Sequence, residues 1–337
     1  MRNADSRYGS FSLVKEMLET PDVIRSIDVR KIKDIADRVR TDRFFLTGEG
    51  SSRILPAGKV RYDALKNKYA QTIQSEGALQ ACEYDLDGYT VCVASNSGRT
   101  REAVVLLNAL KEKNHADTLA VVGFADSPVD QMAAASYVLV SGPEKAVAAT
   151  KTVVEQALFY DLLFCDLNKA TPPDLSKLAD LFEEVLSYSV AEDVIGRMST
   201  AGTLYWAGRT DGVAAELALK TNEITRKPSD FLEGTYAVHG IEEVMDPADC
   251  LVIVRPFPDE EAKMSEVLEQ GVGMSVFSIG SESSRFPGLP VADFGAFTPY
   301  LEMAAGWNLL VEIGLEAGND LDKPERARKV GNEFTAD

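Results

Sequence analysis

The sequence predicts an α/β protein built from two layered units of mostly parallel strands and crossover helices. Short runs of β-branched and apolar residues alternate with longer helical patterns, which is typical of parallel sheets. The two halves of the 337-residue chain also match at a nearly constant offset, since "FLTGEGSS" at 45–52 resembles "LYWAGRTD" at 204–211. One fold used twice accounts for this offset better than chance similarity between α/β segments.

In the first half, each predicted strand is a short apolar run and each helix follows a polar turn. The predicted strands are 44–47, 90–94, 118–124 and 137–140, and the predicted helices are 53–68, 99–113 and 149–167. The segment "KATPPDLSK" then follows, and its two prolines predict a domain junction because proline ends one helix and precedes another.

The second half repeats this alternation. The predicted strands are 203–207, 250–255 and 274–279, and the predicted helices are 211–225 and 299–318. We divide the chain into an N-terminal helical segment (1–40), a first domain (41–170), a linker helix (171–198), a second domain (199–312) and a C-terminal tail (313–337).

Composition excludes several classes of function. The formal net charge of −18 and a sequence pI near 4.7 argue against binding to nucleic acid or anionic lipid, because such a surface repels phosphates. No apolar run approaches the roughly 20 residues of a membrane span, and the N-terminus lacks a signal-peptide core. The four cysteines have neither metal-ligand nor redox spacing. We therefore expect a reduced cytoplasmic protein without a metal or redox cofactor.

The segment "ASNSGRTRE" (94–102) joins a predicted strand to a predicted helix and carries four hydroxyl or amide donors. The carboxyl end of a strand and the start of a helix form an anion site in open α/β sheets. Helix capping alone would need one such residue, so the set favours a phosphate monoester. The donors are Ser95, Asn96, Ser97 and Thr100.

Three further groups are candidates for chemistry. The turn "TGEGSSR" also joins a strand to a helix and places Ser51 and Ser52 where they could face the same crevice. Glu216, Lys220 and Glu223 share one helix face, where a solvated salt-bridge stripe is the alternative. His239 lies in the glycine-bounded "YAVHG" and could serve proton transfer as well as a structural role.

At these residues the sequence resembles the sugar isomerase (SIS) domain family, in particular the tandem-SIS isomerase domain of glucosamine-6-phosphate synthase and stand-alone aminosugar-phosphate deaminases and deglycases. The motifs that carry the resemblance are "EGSS", "SNSGRT", "GPEKAVAATKTVVEQ", "AELALKTNEI", "VHG" and "LDKPERARKV". Their order matches the family over nearly the whole chain. The resemblance implies two doubly wound, flavodoxin-like SIS domains.

The resemblance also implies roles by position, for an enzyme without a cofactor. Ser51, Ser52, Ser95, Asn96, Ser97 and Thr100 would hold the sugar phosphate, and Val147 and Thr150 would line the sugar site. Glu223 would move a proton between C1 and C2, and Lys220 would orient the open chain. His239 would open the ring from the partner subunit of a homodimer, and Lys329 would lie at the reacting end.

Some positions depart from the family pattern. Glu49 replaces the family's cysteine in the first loop, and Ala149 replaces a serine. "RPFPDE" stands where a second phosphate loop would be, so we expect one phosphate site per chain. No glutaminase domain or N-terminal Cys is recognisable, so we do not expect ammonia to be drawn from glutamine.

The activity expected from these features is that of a glucosamine-6-phosphate deaminase, in which aldose–ketose isomerisation releases ammonia. Three alternatives stay open at this point: a deglycase for fructosyl-amino-acid 6-phosphates, a plain aldose–ketose isomerase, and a non-catalytic sugar-phosphate sensor.

Overall fold

A computed structural model describes Met1, residues 6–329 and residues 331–334. Up to residue 170 its elements in chain order are α1 (Ser12–Ser26), α2 (Val29–Ala36), β1 (Arg43–Thr47), α3 (Ile54–Lys66), β2 (Thr72–Ser75), α4 (Ala78–Ala81), β3 (Thr90–Ser95), α5 (Arg101–Glu112), β4 (Thr118–Val122), α6 (Pro128–Met132), β5 (Ala135–Val138) and α7 (Lys151–Leu167). The elements that follow are α8 (Leu175–Leu186), α9 (Glu192–Thr200), β6 (Leu204–Gly208), α10 (Val213–Thr225), β7 (Phe231–Glu233), β8 (Cys250–Val254), α11 (Glu261–Met264), β9 (Ser275–Gly280), β10 (Gly288–Pro290) and α12 (Thr298–Glu316).

The first sheet is parallel throughout and has the strand order β2-β1-β3-β4-β5. This is the flavodoxin-like order, which confirms the predicted α/β class. The predicted strands of this half are present, although β5 begins two residues earlier than predicted and β4 ends at Val122. β2 was not predicted, because its sequence "TIQS" is largely polar and it lies mostly exposed at the sheet edge.

The second sheet is also parallel and five-stranded, with the order β10-β9-β8-β6-β7. From the β7 end it repeats the strand order of the first sheet, as expected for one fold used twice. The three predicted strands match β6, β8 and β9. β7 and β10 were not predicted, since each has only three residues and lies at an edge.

The chain divides into two compact units. The first-sheet unit comprises Asp22–Lys145, Ala149–Asp174 and Arg326–Asp337. The second-sheet unit comprises Met1–Pro21, Ala146–Ala148 and Leu175–Glu325. Residues 326–329 and 331–334 are thus part of the first-sheet unit, although the described residues 175–325 are not.

Each unit contains one helix that is buried nearly all round. In the first-sheet unit, α7 buries every residue from Lys151 to Cys165. In the second-sheet unit, α12 buries every residue from Thr298 to Gly314. Apolar residues around the whole circumference of a helix indicate a core position. Among the described residues, no helix combines the length and apolar character needed to cross a membrane.

A buried ion cluster joins α3 to α7 in the first-sheet unit. The ammonium of Lys59 lies 2.7 Å from a carboxylate oxygen of Asp63 and 2.7 Å from one of Asp161. The side chain of Lys59 is 1% exposed, so its charge depends on these two partners. Burial alone would lower the pKa of Lys59, but the charges of Asp161 and Asp63 outweigh burial and raise it.

Replacing Lys59 by methionine would leave two buried carboxylates without their cation. We expect Lys59→Met to lower the free energy of unfolding by about 3–5 kcal/mol, the usual effect of breaking a buried pair from one side. Urea denaturation measures this change. The exposed Lys111→Met on α5 is the control and should change stability by less than about 0.5 kcal/mol. Equal effects of the two substitutions would contradict a stabilising role for the cluster.

Candidate functional site

The loop from Ser95 to Thr100 (the phosphate loop) leaves the carboxyl end of β3 and leads into α5. The hydroxyl oxygens of Ser95 and Thr100 are 2.8 Å apart, and the Ser95 hydroxyl accepts a hydrogen bond from the Gly98 N–H at 3.1 Å. The Ser97 hydroxyl accepts from the Arg99 N–H at 3.1 Å. Thr100 precedes α5 but makes no side-chain capping bond. Its hydroxyl is paired instead with that of Ser95, which favours an anion site over a simple helix cap.

Gly98 is required by the shape of this loop. Its φ of +62° lies in the left-handed region that residues other than glycine rarely adopt. A Cβ at this position would also lie 2.0 Å from the hydroxyl oxygen of Ser127. The loop is therefore packed tightly against the start of α6, with no room for a side chain at its turn.

The first loop, residues 48–53, leaves β1 next to the phosphate loop. β1 pairs with β3 in register Thr47 to Val93, so the two strands end side by side. A Cβ on Gly48 would lie 2.8 Å from the Ala94 carbonyl oxygen, which shows that the first residues of the two loops lie close together. Ser51 and Ser52 follow in a 3-10 turn over Gly50–Ser52. In this strand order β1 and β3 flank the switch point, where open α/β sheets bind ligands.

Glu49, whose role the sequence leaves open, contacts the backbone of α4. Its carboxylate Oε1 accepts a hydrogen bond from the Ala78 N–H at 3.0 Å. The acidic side chain of Glu49 thus fixes the start of a short helix.

Glu144 is a buried carboxylate to which several parts of the site converge. Its oxygens accept hydrogen bonds from the Thr150 N–H at 2.7 Å, the Thr150 hydroxyl at 2.9 Å and the Thr152 hydroxyl at 2.6 Å. Asn96 Nδ2 and Lys329 Nζ each lie 3.5 Å from Oε2. All five residues belong to the first-sheet unit, so the structure brings together three of the predicted site residues: Asn96, Thr150 and Lys329.

The pKa of Glu144 lies below its ordinary value. Burial alone would raise this pKa, but the charge of Lys329 and the hydrogen bonds from Thr152 and Thr150 outweigh burial. The carboxylate is therefore kept ionised by its partners. Glu144 was not predicted as a site residue from the sequence. The only signal for it was an acidic residue inside the "GPEKAVAATK" match.

The predicted catalytic helix is α10 of the second-sheet unit. Lys220 Nζ donates a hydrogen bond to Glu223 Oε2 at 2.6 Å and lies 3.3 Å from Glu216 Oε1. The side chains of Lys220 and Glu216 are fully buried, whereas that of Glu223 is 24% exposed. A solvated stripe would expose all three side chains. The structure thus shows a buried network in which only Glu223 is open to a ligand.

Burial and charge act in opposite directions on Lys220. Burial alone would lower the pKa of Lys220, but the charges of Glu223 and Glu216 outweigh it and raise the pKa. The ammonium is therefore a fixed cation that holds Glu223 in place.

His239 and Val147 also lie in the second-sheet unit. His239 is exposed and follows a 3-10 turn over Tyr236–Val238. Val147 is half-buried, and the N–H of its neighbour Ala146 donates to Glu16 Oε2 at 3.2 Å.

At the switch point of the second sheet, an internal ion cluster occupies the loop that corresponds to the phosphate loop. β8 ends at Val254, and the guanidinium of the next residue, Arg255, binds Asp211 at 3.0 Å and Glu302 at 2.5 Å. Glu302 is fully buried. The carboxylates of Asp211 and Glu302 thus already neutralise the charge of Arg255, and no cluster of hydroxyls follows β8 as it follows β3. The contacts of Arg255 were not predicted from the sequence.

The described residues hold no group of three or more His, Cys, Asp and Glu side chains that could bind a metal ion.

Comparison with known proteins connects this geometry to a family. Residues 65–165 match the SIS domain. The match includes β3, the phosphate loop, Glu144 and most of α7, and it ends before the second sheet.

Curated relatives extend the similarity along the chain. The chain is 25% identical over 346 residues to the glutamine–fructose-6-phosphate aminotransferase (isomerizing) of Methanocaldococcus jannaschii, a match that covers 94% of this chain and 30% of that protein. It is 26% identical over 352 residues to the enzyme of the same name from Halobacterium salinarum, covering 94% of this chain and 58% of the relative. The chain therefore spans well under two thirds of the length of either relative.

Solved structures share the fold over almost the entire chain. The C-terminal domain of glucosamine-fructose-6-phosphate aminotransferase from Francisella tularensis superposes with a TM-score of 0.78 at 18% identity, covering 96% of this chain and all of that domain. Tagatose-6-phosphate ketose/aldose isomerase from Escherichia coli gives 0.79 at 16% identity, covering 96% and 99%. Glucosamine-6-phosphate deaminase from Thermotoga maritima gives 0.75 at 18% identity, covering 95% and 99%. At these identities the likeness establishes the fold.

Substituting Gly98 tests the shape of the phosphate loop. Gly98→Ala should lower the free energy of unfolding through backbone strain of about 1–2 kcal/mol and through overlap with Ser127 of about 1–3 kcal/mol. Gly142→Ala is a matched control, since Gly142 has a φ of +68° but no atom within 4 Å of a Cβ. Chemical denaturation should show a clearly larger loss for Gly98→Ala. Equal losses would contradict the close packing against Ser127.

The depressed pKa of Glu144 predicts a pH dependence. A carboxyl whose folded pKa is lowered stabilises the protein above its unfolded pKa, about 4.3, and this stabilisation is lost as pH falls through the folded pKa. Glu144→Gln should therefore have a lower Tm than the wild type at pH 7, and this difference in Tm should become smaller below about pH 4. Melting curves from pH 7 to pH 3 measure it. A gap that stays constant or widens in acid would contradict the ion pair.

Proposed function

We propose that the protein is a phosphosugar isomerase that acts at C1 and C2 of an aminohexose 6-phosphate and releases ammonia, as a glucosamine-6-phosphate deaminase does. The observation that carries the proposal is the first sheet's switch point. There the phosphate loop, the first loop and the Glu144–Lys329 pair lie in one unit. The names of the relatives support the substrate class, since all of those compared above refer to hexose 6-phosphate chemistry.

The phosphate loop anchors the substrate away from the reacting carbons. Hydroxyls of Ser95, Ser97 and Thr100 and the start of α5 offer donors to a phosphate, with Ser51 and Ser52 on the neighbouring loop. The chain has a net charge of −18, so an anionic substrate needs such a local cluster of donors. Binding energy from the phosphate then holds the sugar while C1 and C2 react.

Glu223 is the proposed proton carrier. In the open-chain aldose, the carbonyl at C1 acidifies the hydrogen at C2. Glu223 removes this proton while the C1 oxygen takes a proton from water, which gives an enolamine. Return of the carbon-bound proton to C1 and loss of one amine proton to water give the imine at C2, which water hydrolyses to fructose 6-phosphate and ammonia. Lys220 fixes the carboxylate through its 2.6 Å hydrogen bond, and the exposed part of Glu223 leaves it open to a substrate.

His239 and Lys329 have supporting roles in this proposal. His239 would open the ring, and its exposure fits the proposal that it serves the site of a second copy in a homodimer. Lys329 would lie at C1, held by Glu144. The proposed substrate is a small anionic sugar, and the mechanism uses no metal or redox cofactor.

Plain aldose–ketose isomerisation is the second candidate. The fold likeness to tagatose-6-phosphate ketose/aldose isomerase favours it. The two reactions share the C2 deprotonation and differ in whether nitrogen leaves.

Proton NMR in D2O with glucosamine 6-phosphate, with ammonia assayed in the same tube, tests the proposal. We expect fructose 6-phosphate, stoichiometric ammonia and deuterium at C1. Glu223→Gln should reduce both turnover and exchange at C2 by roughly 10²–10⁴-fold and leave binding intact, because only the base is lost. Glu266→Gln is the control, since Glu266 is an exposed carboxylate that also pairs with a lysine three residues away.

Other outcomes separate the alternatives. Ketose–aldose exchange with non-amino hexose 6-phosphates and no ammonia would replace the deaminase by a plain isomerase. Activity only on fructosyl-amino-acid 6-phosphates would identify a deglycase. Tight sugar-phosphate binding without any exchange, unchanged by Glu223→Gln, would contradict catalysis and indicate a sensor.

A further inference from the structure

The C-terminal segment 331–334 is fastened to the phosphate loop by backbone pairing. The Arg101 N–H donates to the Asn332 carbonyl at 3.1 Å, and the Phe334 N–H donates to the Arg99 carbonyl at 2.9 Å. Thr100 and Glu333 form an antiparallel bridge, and the carboxylate of Glu333 lies 3.4 Å from the Arg99 guanidinium. This segment therefore adds a short strand along the exit of the phosphate loop.

Side chains reinforce this attachment. Asn332 Nδ2 donates to Glu102 Oε1 at 2.6 Å on the first turn of α5. Phe334 packs against the apolar cluster formed by β3, β4 and α5. Residues 332–334 are thus anchored to the end of the phosphate loop and the start of α5.

The chain at Lys329 has its own anchor, which is Glu144. The Lys329 side chain is 28% exposed and the Glu144 side chain is fully buried, with 3.5 Å between Nζ and Oε2. Oε1 of the same carboxylate is held by the Thr150 N–H and hydroxyl, and Oε2 by the Thr152 hydroxyl. A carboxylate fixed by three such hydrogen bonds cannot follow a moving lysine, so the lysine is positioned by the carboxylate.

We propose that Glu144 is a positioning residue, which holds the Lys329 ammonium at the phosphate loop before substrate binds. This inference rests on the proposed function for its kinetic consequence. The physical advantage is entropic, because a free lysine side chain on a chain terminus would have to be ordered at every turnover. Glu144 acts through Lys329 and does not itself touch the substrate.

A double-substitution cycle tests whether Glu144 acts through Lys329. Glu144→Gln keeps the shape of the side chain and removes its charge. We expect it to lower kcat about 10- to 100-fold with a much smaller change in KM, because phosphate anchoring is retained. In the Lys329→Met background the same substitution should cause little further loss, since effects through one contact are not additive. If Glu144→Gln lowered kcat by the same factor with and without Lys329, Glu144 would have a structural role independent of Lys329, and the proposal would be overturned.

Glu155→Gln is the matched control for removing a buried carboxylate. Glu155 lies on α7 in the same unit and accepts hydrogen bonds from Val140 and Ser141 N–H groups and the Tyr137 hydroxyl. None of these three hydrogen bonds involves the C-terminal segment. Glu155→Gln can reduce stability, but its kinetic effect should be the same with and without Lys329.

Chemical labelling gives a readout that needs no turnover. Acetylation of lysine amines, followed by mass spectrometry, should modify Lys329 more slowly than the exposed Lys323 in the wild type. Glu144→Gln should raise the Lys329 rate several-fold and leave Lys323 unchanged, whereas Glu155→Gln should alter neither rate. An unchanged Lys329 rate in Glu144→Gln would overturn the positioning role, whatever the enzyme's substrate. Faster labelling without turnover of any sugar phosphate would retain the positioning and refute the proposed function.

Discussion

The pairing of β1 with β3 at the centre of the first sheet is the constraint on which the proposed site depends. Parallel neighbours end at the same edge, so the first loop and the phosphate loop begin side by side. The order β2-β1-β3-β4-β5 then sends the helices that follow β1 and β3 to opposite faces of the sheet, which opens a crevice between the loops. Gly48 and Gly98 allow the backbone to approach closely there.

The loops that follow the central strands β3 and β8 differ in charge, although the two sheets have the same strand order. After β3, hydroxyls and a helix start offer donors, and the Lys329 ammonium lies 3.5 Å from the Glu144 carboxylate. After β8, Arg255 is bound by Asp211 and Glu302, so its charge is already neutralised within the protein. The anion site that we propose therefore lies at the first sheet and not at the second.

Much of the fold could be predicted from the sequence, because the central strands are continuous apolar runs and the long helices follow polar turns. β2, β7 and β10 were missed since edge strands are short and do not need an apolar pattern. The phosphate loop was recognisable because its four donors, Ser95, Asn96, Ser97 and Thr100, lie close together in the sequence. Glu144 was not, since its partners Asn96 and Lys329 are 48 and 185 residues away along the chain.

A crystal structure with glucosamine 6-phosphate tests the central claim most directly, which is that the first sheet's switch point holds the phosphate. The account predicts phosphate oxygens within hydrogen-bond distance of the hydroxyls of Ser95, Ser97 and Thr100, with the sugar carbons extending toward Lys329. A phosphate bound at Arg255 in the second-sheet unit, or a sugar phosphate that leaves the phosphate loop empty, would contradict it.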